Sequence, residues 1–211
     1  MTAQARKHPP GTTKSRTELP NRTITTNNTS KYRLTSESRL VNGVTVYRIQ
    51  ALRDFSDVKA GNTGGWVESE RNLHHGGTSW IYDDATVSGH ARVSGCAVVR
   101  GHAQLTDCAE VSGHAMVEGN AHISGRGRVF GHAVVSGHAL IHGNGWVYEY
   151  ARITGNAIVC YYARVFGSAW LEGHVVASGC VWVSGSTRLT GKQQLRGSIK
   201  ITGAKINHEY T

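Results

Sequence analysis

The chain has 211 residues, 23 Lys and Arg against 14 Asp and Glu, 26 Gly and only 3 Pro. That length suits one domain with an appendage, and no apolar run approaches the ~18 residues of a membrane-spanning helix. The start of the chain carries no signal-peptide core, so a cytoplasmic protein without membrane contact is expected.

In chain order, residues 1–30 come first. They are rich in Thr, Asn, Lys, Arg and Pro, with few apolar side chains, which predicts a disordered, mobile basic arm. From Met1 to Arg33 seven basic residues stand against one acid, Glu18. Such an arm can make weak, nonspecific nucleic-acid contacts or serve only as a solubilising tail; it lacks interleaved aromatics for stacking bases. Residues 31–78 alternate like a small β cap: "KYRLT", a turn at Asn42-Gly43, then "VTVYRI". "GNTGGW" reads as a loop, and Trp66 and Leu73 are candidates to plug the open end of the adjoining domain.

That domain is a repeat. From Ser79 to Ala204 the chain divides into 21 hexads with no insertion, beginning SWIYDD, ATVSGH, ARVSGC, AVVRGH. An internal repeat outranks local propensity, because it means one small unit stacked on its copies. Position 1 is usually Ala, position 3 is Val, Ile or Leu in nearly every unit, and positions 2 and 4 vary. That is strand alternation with 1 and 3 facing in. At Val175-Val176-Ala177 the large and small inward residues trade places, which conserves the enclosed volume. Position 5 is usually Gly, followed by His, Asn, Ser, Cys or Lys; Gly, Asn and His tolerate left-handed backbone angles, so each hexad ends in a corner. No hexad can bury its own face, so the strands coil around a shared interior: a solenoid. Residues 205–211 make a tail too short for a lid, leaving the C-terminal end to its own last strand or to another subunit.

The spacing of an aliphatic residue four places before a small one, as in Val87…Ala91, Val93…Ala97 and Val111…Ala115, resembles the hexapeptide-repeat, single-stranded left-handed parallel β-helix. Here Gly sits two places after the aliphatic residue, where the commoner form has it one place after. The segment "YRIQALRDFSDVKAGNTGGWVESERNL" leading into "WIYDDATVSGHARV" is similar to the YdcK-like proteins of enterobacteria and their phages, often labelled acetyltransferases. The resemblance implies left-handedness and three hexads per turn, hence an all-β fold of about seven triangular turns.

With that pitch, residues eighteen apart stack and the corners fall into three columns. One holds Asp84, His102, Asn120, His138, Asn156, His174 and Lys192. Its histidines lie about 9.6 Å apart, too far to share a zinc whose ligands sit within about 2.3 Å. The second holds His90, Cys108, Arg126, Asn144, Tyr162, Cys180 and Ser198. In the third, Cys96, His114 and His132 are consecutive and are the candidate metal ligands, although they lie on a line with no evident fourth partner. Corner preference is the simpler account of all these residues. Cys108 and Cys180 are four rungs apart, about 19 Å and beyond disulfide reach, so free thiols are expected.

The outward positions form apolar ladders. One face stacks Trp80, Val98, Met116 and Val134, then Arg152 and Trp170. A second stacks Leu140, Ile158 and Val176, and a third Phe130, Tyr148 and Phe166 beside Trp146 and Trp182. Contiguous ladders mark an interaction surface more often than scattered apolar residues do; their alternative role is to stabilise the coil by stacking. Hexapeptide-repeat proteins are commonly trimers packed side by side, so the resemblance implies a homotrimer. Three functions stay open. The unbroken frame and ladders favour a noncatalytic interaction protein, phage or prophage encoded, presenting a rigid surface to an unknown macromolecular partner and needing no cofactor. The family label suggests an acetyl-CoA-dependent acyltransferase with sites between subunits, for which His114 and His132 are the candidate general bases. A zinc hydratase would need three His converging between subunits.

Overall fold

The computed structural model describes residues 30–203 and, as backbone, residues 205–208. The arm assigned to residues 1–30 therefore lies outside the described residues but for Ser30, as do Ala204 and residues 209–211 of the tail.

The described residues are all-β apart from one 3₁₀ turn at Glu70–Asn72. Two strands open it. β1 (Tyr32–Val41) and β2 (Val44–Ala51) pair antiparallel around Asn42-Gly43, whose φ values of 50° and 81° are both left-handed, the signature of a I′ turn. β2 then pairs antiparallel with β3 (Thr63–Val67), and β3 pairs parallel with Thr86–Val87. From β3 onward the chain coils as a parallel β-solenoid with three faces, the strand after β3 on a different face being β4 (Trp80–Ile81).

Each face takes its name from a central residue. The Leu140 face runs from β3 through Thr86–Val87 to Gln194–Leu195. The Trp146 face runs from Arg92–Val93 to Lys200–Thr202. The Met116 face runs from β4 to Lys205–His208. Partners from Trp80↔Val98 through Trp182↔Lys200 are all eighteen residues apart.

Each turn holds one hexad per face, and the hydrogen bonds follow the hexad. Positions 2, 4 and 6 donate their backbone N–H to carbonyls one turn on, as in Arg92 to Ala109 (2.9 Å), Ser94 to Val111 (3.0 Å) and Cys96 to Gly113 (2.7 Å). Position 1 instead closes its own corner, Ala91 N–H to Ser88 carbonyl at 3.3 Å. Inward positions 1 and 3 are buried from Ser79 to Gln193 and open only at the C-terminal end, where Leu195 and Ile201 are half-buried and Ile199 is exposed. Val175 and Ala177, where large and small trade places, are both fully enclosed. Each enclosed Val or Ile contributes about 1.5–3 kcal/mol of apolar burial, so the repeat is its own core.

Four readings of the sequence need correction. First, the left-handed residue of every corner is position 5 alone. Glycines there have φ near +70°, and the four non-glycine residues at that position, Asp83, Asp107, Glu149 and Tyr161, have φ of 53°, 58°, 60° and 58°. The histidines at position 6 are not left-handed, so backbone tolerance does not explain them. The position-5 acids do more than tolerate the corner. Asp83, Asp107 and Glu149 each accept the N–H of the glycine directly above, Gly101, Gly125 and Gly167, at 2.9, 2.8 and 2.8 Å. That N–H has no partner in the backbone ladder.

Second, the coil starts earlier than Ser79. Leu73 is fully buried and bridges Val93, so with β3 and β4 it completes an extra first turn, twenty residues below its neighbours on two faces because "HHGGTS" adds length. Leu73 is thus core rather than plug. Trp66 is no plug either: it faces outward under the Arg39 and Arg48 guanidiniums, 4.3 and 4.8 Å from its ring, and donates to Asp84 at 3.2 Å. Third, Trp80 does not head an exposed ladder. It is buried, edge-on to Phe55 and Tyr32 at 5.3 and 6.1 Å, and these rings with Ile49 belong to the core at the N-terminal end. Fourth, the tail assigned to residues 205–211 is not wholly outside the coil: Lys205–His208 forms an eighth strand of the Met116 face, paired with Arg188–Gly191 at a spacing of seventeen.

Lys31 closes the junction between cap and coil. It is fully buried, donates to the Ser79 carbonyl and hydroxyl at 2.7 and 3.2 Å, and lies 5.3 Å over the Phe55 ring. Burial, with the Arg53 charge added, lowers its pKa to about 8.

The Lys31 pKa is lower folded than unfolded, so the unfolded chain holds the proton longer, and the stability this group contributes rises from pH 8 toward 10.5. The melting temperature of the wild type relative to Lys31→Met should therefore climb between pH 8 and 10; a pH-independent difference would refute the assignment. At the corner, Asp107→Ala keeps a strained φ and loses the acceptor, costing about 1–2 kcal/mol. Asp107→Gly loses the same acceptor but also relieves the strained φ, so its denaturation midpoint should lie above that of Asp107→Ala.

Candidate functional site

The corner between the Trp146 and Met116 faces carries the residues singled out for chemistry. His114 and His132 occupy successive turns and both are exposed. Their rings stack at 4.9 Å with planes 3° apart, and Tyr150 continues the stack at 5.0 Å. Cys96, one turn before His114, is half-buried. Parallel stacking along the axis aims these groups outward side by side rather than at one point. Among the described residues no three His, Cys, Asp or Glu side chains gather as a metal set would. The solenoid pitch is the reason: a column spaces its members one strand apart, and nothing bends them together.

Both flanks of this corner are apolar. On the Met116 face Val98, Met116 and Val134 pair in register and are half-buried. A cleft of about 350 Å³ opens beside them, lined by Cys96, Val98, Met116, Tyr82, Arg100 and Asp57 among others. Inside it the Tyr82 hydroxyl donates to Asp57 at 2.7 Å, which holds the Asp57 carboxyl below the usual range; burial and that bond push the phenol up. On the Trp146 face Phe130, Tyr148 and Phe166 stack at 4.9 Å with planes 3° and 5° apart. Trp146 and Trp182 meet Phe130 and Phe166 edge-on.

The remaining face is separate from this corner. Leu140, Ile158 and Val176 stack in register, half-buried, beside a cleft of about 500 Å³ lined also by His142, Cys160 and Arg196. Cys160 is buried, and desolvation raises its thiol pKa. His122, on the same face, is held below its ordinary pKa by burial and lies 3.2 Å from the Thr106 hydroxyl. The structure does not bring the Leu140 ladder together with the histidine corner. Free thiols are observed at Cys96, Cys108, Cys160 and Cys180.

One arrangement escaped the hexad reading. Position 2 of the Trp146 face alternates cations with other residues: Arg92, Glu110, Arg128, Trp146, Arg164, Trp182, Lys200. The cations recur every thirty-six residues, a second-order period visible only once two turns are compared.

No family model matches the chain. A curated relative from Escherichia coli (strain K12), described as "Uncharacterized acetyltransferase YdcK", is 37% identical over an alignment of 83 residues, a match covering 32% of this chain and 26% of the relative. The chain thus spans about a quarter of the length of the relative it matches. With eighteen-residue turns, stacked parallel strands and a core of positions 1 and 3, this chain is a hexapeptide-repeat parallel β-solenoid that resembles YdcK over part of its sequence.

Proposed function

We propose that the chain is an acyltransferase of the hexapeptide-repeat class, using acyl-CoA and working at the His114/His132 corner between subunits of an oligomer, with a trimer as the first arrangement to test. The observation that carries this is the position of the histidines on a corner flanked by two apolar ladders. When copies pack through the Met116 ladder, the corner lies at the boundary between them. An imidazole there is shielded on its flanks and remains free to take a proton from an acceptor nucleophile as the acyl group is transferred. The name of the YdcK relative supports the same reaction class.

A second reading rests on a different observation. Strand partners keep the eighteen-residue spacing from Trp80 to Lys200, so the faces are flat and uninterrupted. A rigid, flat-sided rod that presents its ladders to a macromolecule, with no acyl transfer, uses that regularity directly.

Mass in solution is the first discriminating measurement. Light scattering should give an oligomer, and Met116→Glu with Val134→Glu should reduce it to a monomer while leaving the β signal intact. An unchanged assembly would remove the Met116 ladder from the interface, and a wild-type monomer would overturn the intersubunit site. In parallel, acetyl-CoA titrated into the wild type should quench tryptophan fluorescence saturably. His114→Ala and His132→Ala should bind it nearly as well but slow its thiol release in the presence of amine acceptors by about 100-fold, the scale of general-base loss. Failure of acetyl-CoA to bind the intact oligomer would leave the noncatalytic reading.

A further inference from the structure

The Trp146 face carries a feature that acyl transfer does not use. Arg92, Arg128, Arg164 and Lys200 lie in one straight row on alternate strands, in register through their pairings with Glu110, Trp146 and Trp182. At about 4.8 Å per strand the cations recur every ~9.6 Å along the axis.

Three of these side chains, Arg128, Arg164 and Lys200, are held. The Arg164 guanidinium lies between two indoles, 4.6 Å from the Trp146 ring and 5.2 Å from that of Trp182. Arg128 lies 5.4 Å from Trp146 on its other side, and the Lys200 ammonium 4.7 Å from Trp182. Stacking on an indole fixes a long cationic stem while leaving its N–H edge free to donate. Among the described residues only Arg128 of the four pairs with a carboxylate, Glu110 at 3.2 Å. Arg92, Arg164 and Lys200 have no acidic partner there. Arg164 and Lys200 are held, lack an acidic partner and lie one ~9.6 Å interval apart, with the exposed Arg92 four rungs before Arg164 on the same line. Such a row calls for a ligand that supplies negative charge at multiples of that interval.

We propose that this face binds a linear acidic polysaccharide laid along the coil axis, with one carboxylate on every second sugar. In an extended chain a disaccharide spans about two rungs, so each carboxylate meets one cation of the row. The intervening sugars lie over Trp146, Trp182 and the Phe130–Tyr148–Phe166 stack. Those rings are packed face to face along the axis, so they turn their electropositive edges outward, toward hydroxyl and carboxylate oxygens. The same packing argues against single-stranded nucleic acid, which needs open ring faces on which to stack bases. Duplex phosphates recur at about 3.4 Å per strand along the axis, out of step with the row. A cavity of about 590 Å³ at the N-terminal end of the face, lined by Arg71, His74 and Arg92 and also by the acidic Glu110, lies where a neutral sugar at the chain end would sit.

The test is calorimetric titration of the full chain with hyaluronan oligosaccharides, which alternate acidic and neutral sugars, against dextran and oligo(dT). Hyaluronan should bind with an affinity that falls with salt. Arg164→Gln should weaken it about tenfold, as loss of one charge-assisted contact does, while Arg164→Lys, which keeps the charge but not the planar stack, should fall between Arg164→Gln and the wild type. Lys200→Gln, at an exposed position, gives a second reading that does not depend on the indole sandwich. The proposal fails if dextran binds equally, if oligo(dT) binds more tightly, or if neither variant changes the affinity. It also fails if Arg164→Gln lowers the mass in solution, which would make this face an interface between copies. Acetyl-CoA quenching is read separately, so failure here leaves the acyltransfer reading standing.

Discussion

Everything in this molecule hangs on the hydrogen bonds that tie one turn to the next. Positions 2, 4 and 6 of each hexad donate to carbonyls one turn ahead, and that requires each hexad to start directly under the next. One added residue would turn outward side chains inward on the strand beyond it. The corner must therefore be the same length every time, which is why position 5 takes a left-handed backbone at every turn whatever residue stands there. Glycine does this freely. It also answers a second demand, since a Cβ at Gly101 would come within 3.1 Å of the Gly119 backbone. The acids at Asp83, Asp107 and Glu149 offset their strained φ by capping the N–H of the corner above.

The strength of that constraint decides what could be read from the sequence. Inward positions 1 and 3 were legible because the frame is unbroken and burial permits few residue types. The corners were legible as corners with glycine left-handed, but that tolerance was extended to the Asn and His beside it, which do not use it. Both glycine and histidine recur there, and only backbone angles separate the left-handed position 5 from the position 6 beside it. The extra first turn was hidden because Leu73 and Ile81 are eight residues apart, not six, so the hexad frame cannot extend back through "HHGGTS". Trp80 illustrates the limit at the other scale. Its hexad position says outward, but its turn is the first of the frame, and Tyr32 and Phe55 from the cap close over it. A repeat fixes what neighbours within the repeat do and is silent about the ends.

The outward positions obey a weaker rule, and there function has room to appear. Position 2 need only be compatible with the residues above and below it, so the three faces diverge. One is aliphatic at its centre, one begins aliphatic and turns cationic at Arg152 and Arg188, and one alternates cation with indole. The last is more ordered than packing alone demands. An indole ladder would stabilise the coil with any flat neighbour, yet the residue between the indoles is Arg, which keeps a donor edge for something outside the chain. The recurrence at thirty-six residues was present in the sequence throughout. It carries meaning only once the pairings show that two hexads on other faces intervene.

The histidine corner poses the opposite question, because a straight column is poorly suited to chemistry that needs groups to converge. A single chain spaces its column members one strand apart and aims them the same way, so a convergent site must take its second half from another copy. The apolar flanks at Met116 and Val134 on one side and at Phe130 and Tyr148 on the other would give a second copy, under the proposed function, a surface on which to pack. Packing through the Met116 face alone leaves the Trp146 face open, and the two proposals are then compatible in one assembly. Packing through both would bury the cation row against apolar surface with Arg164 unpaired, a desolvation cost that argues for the open arrangement.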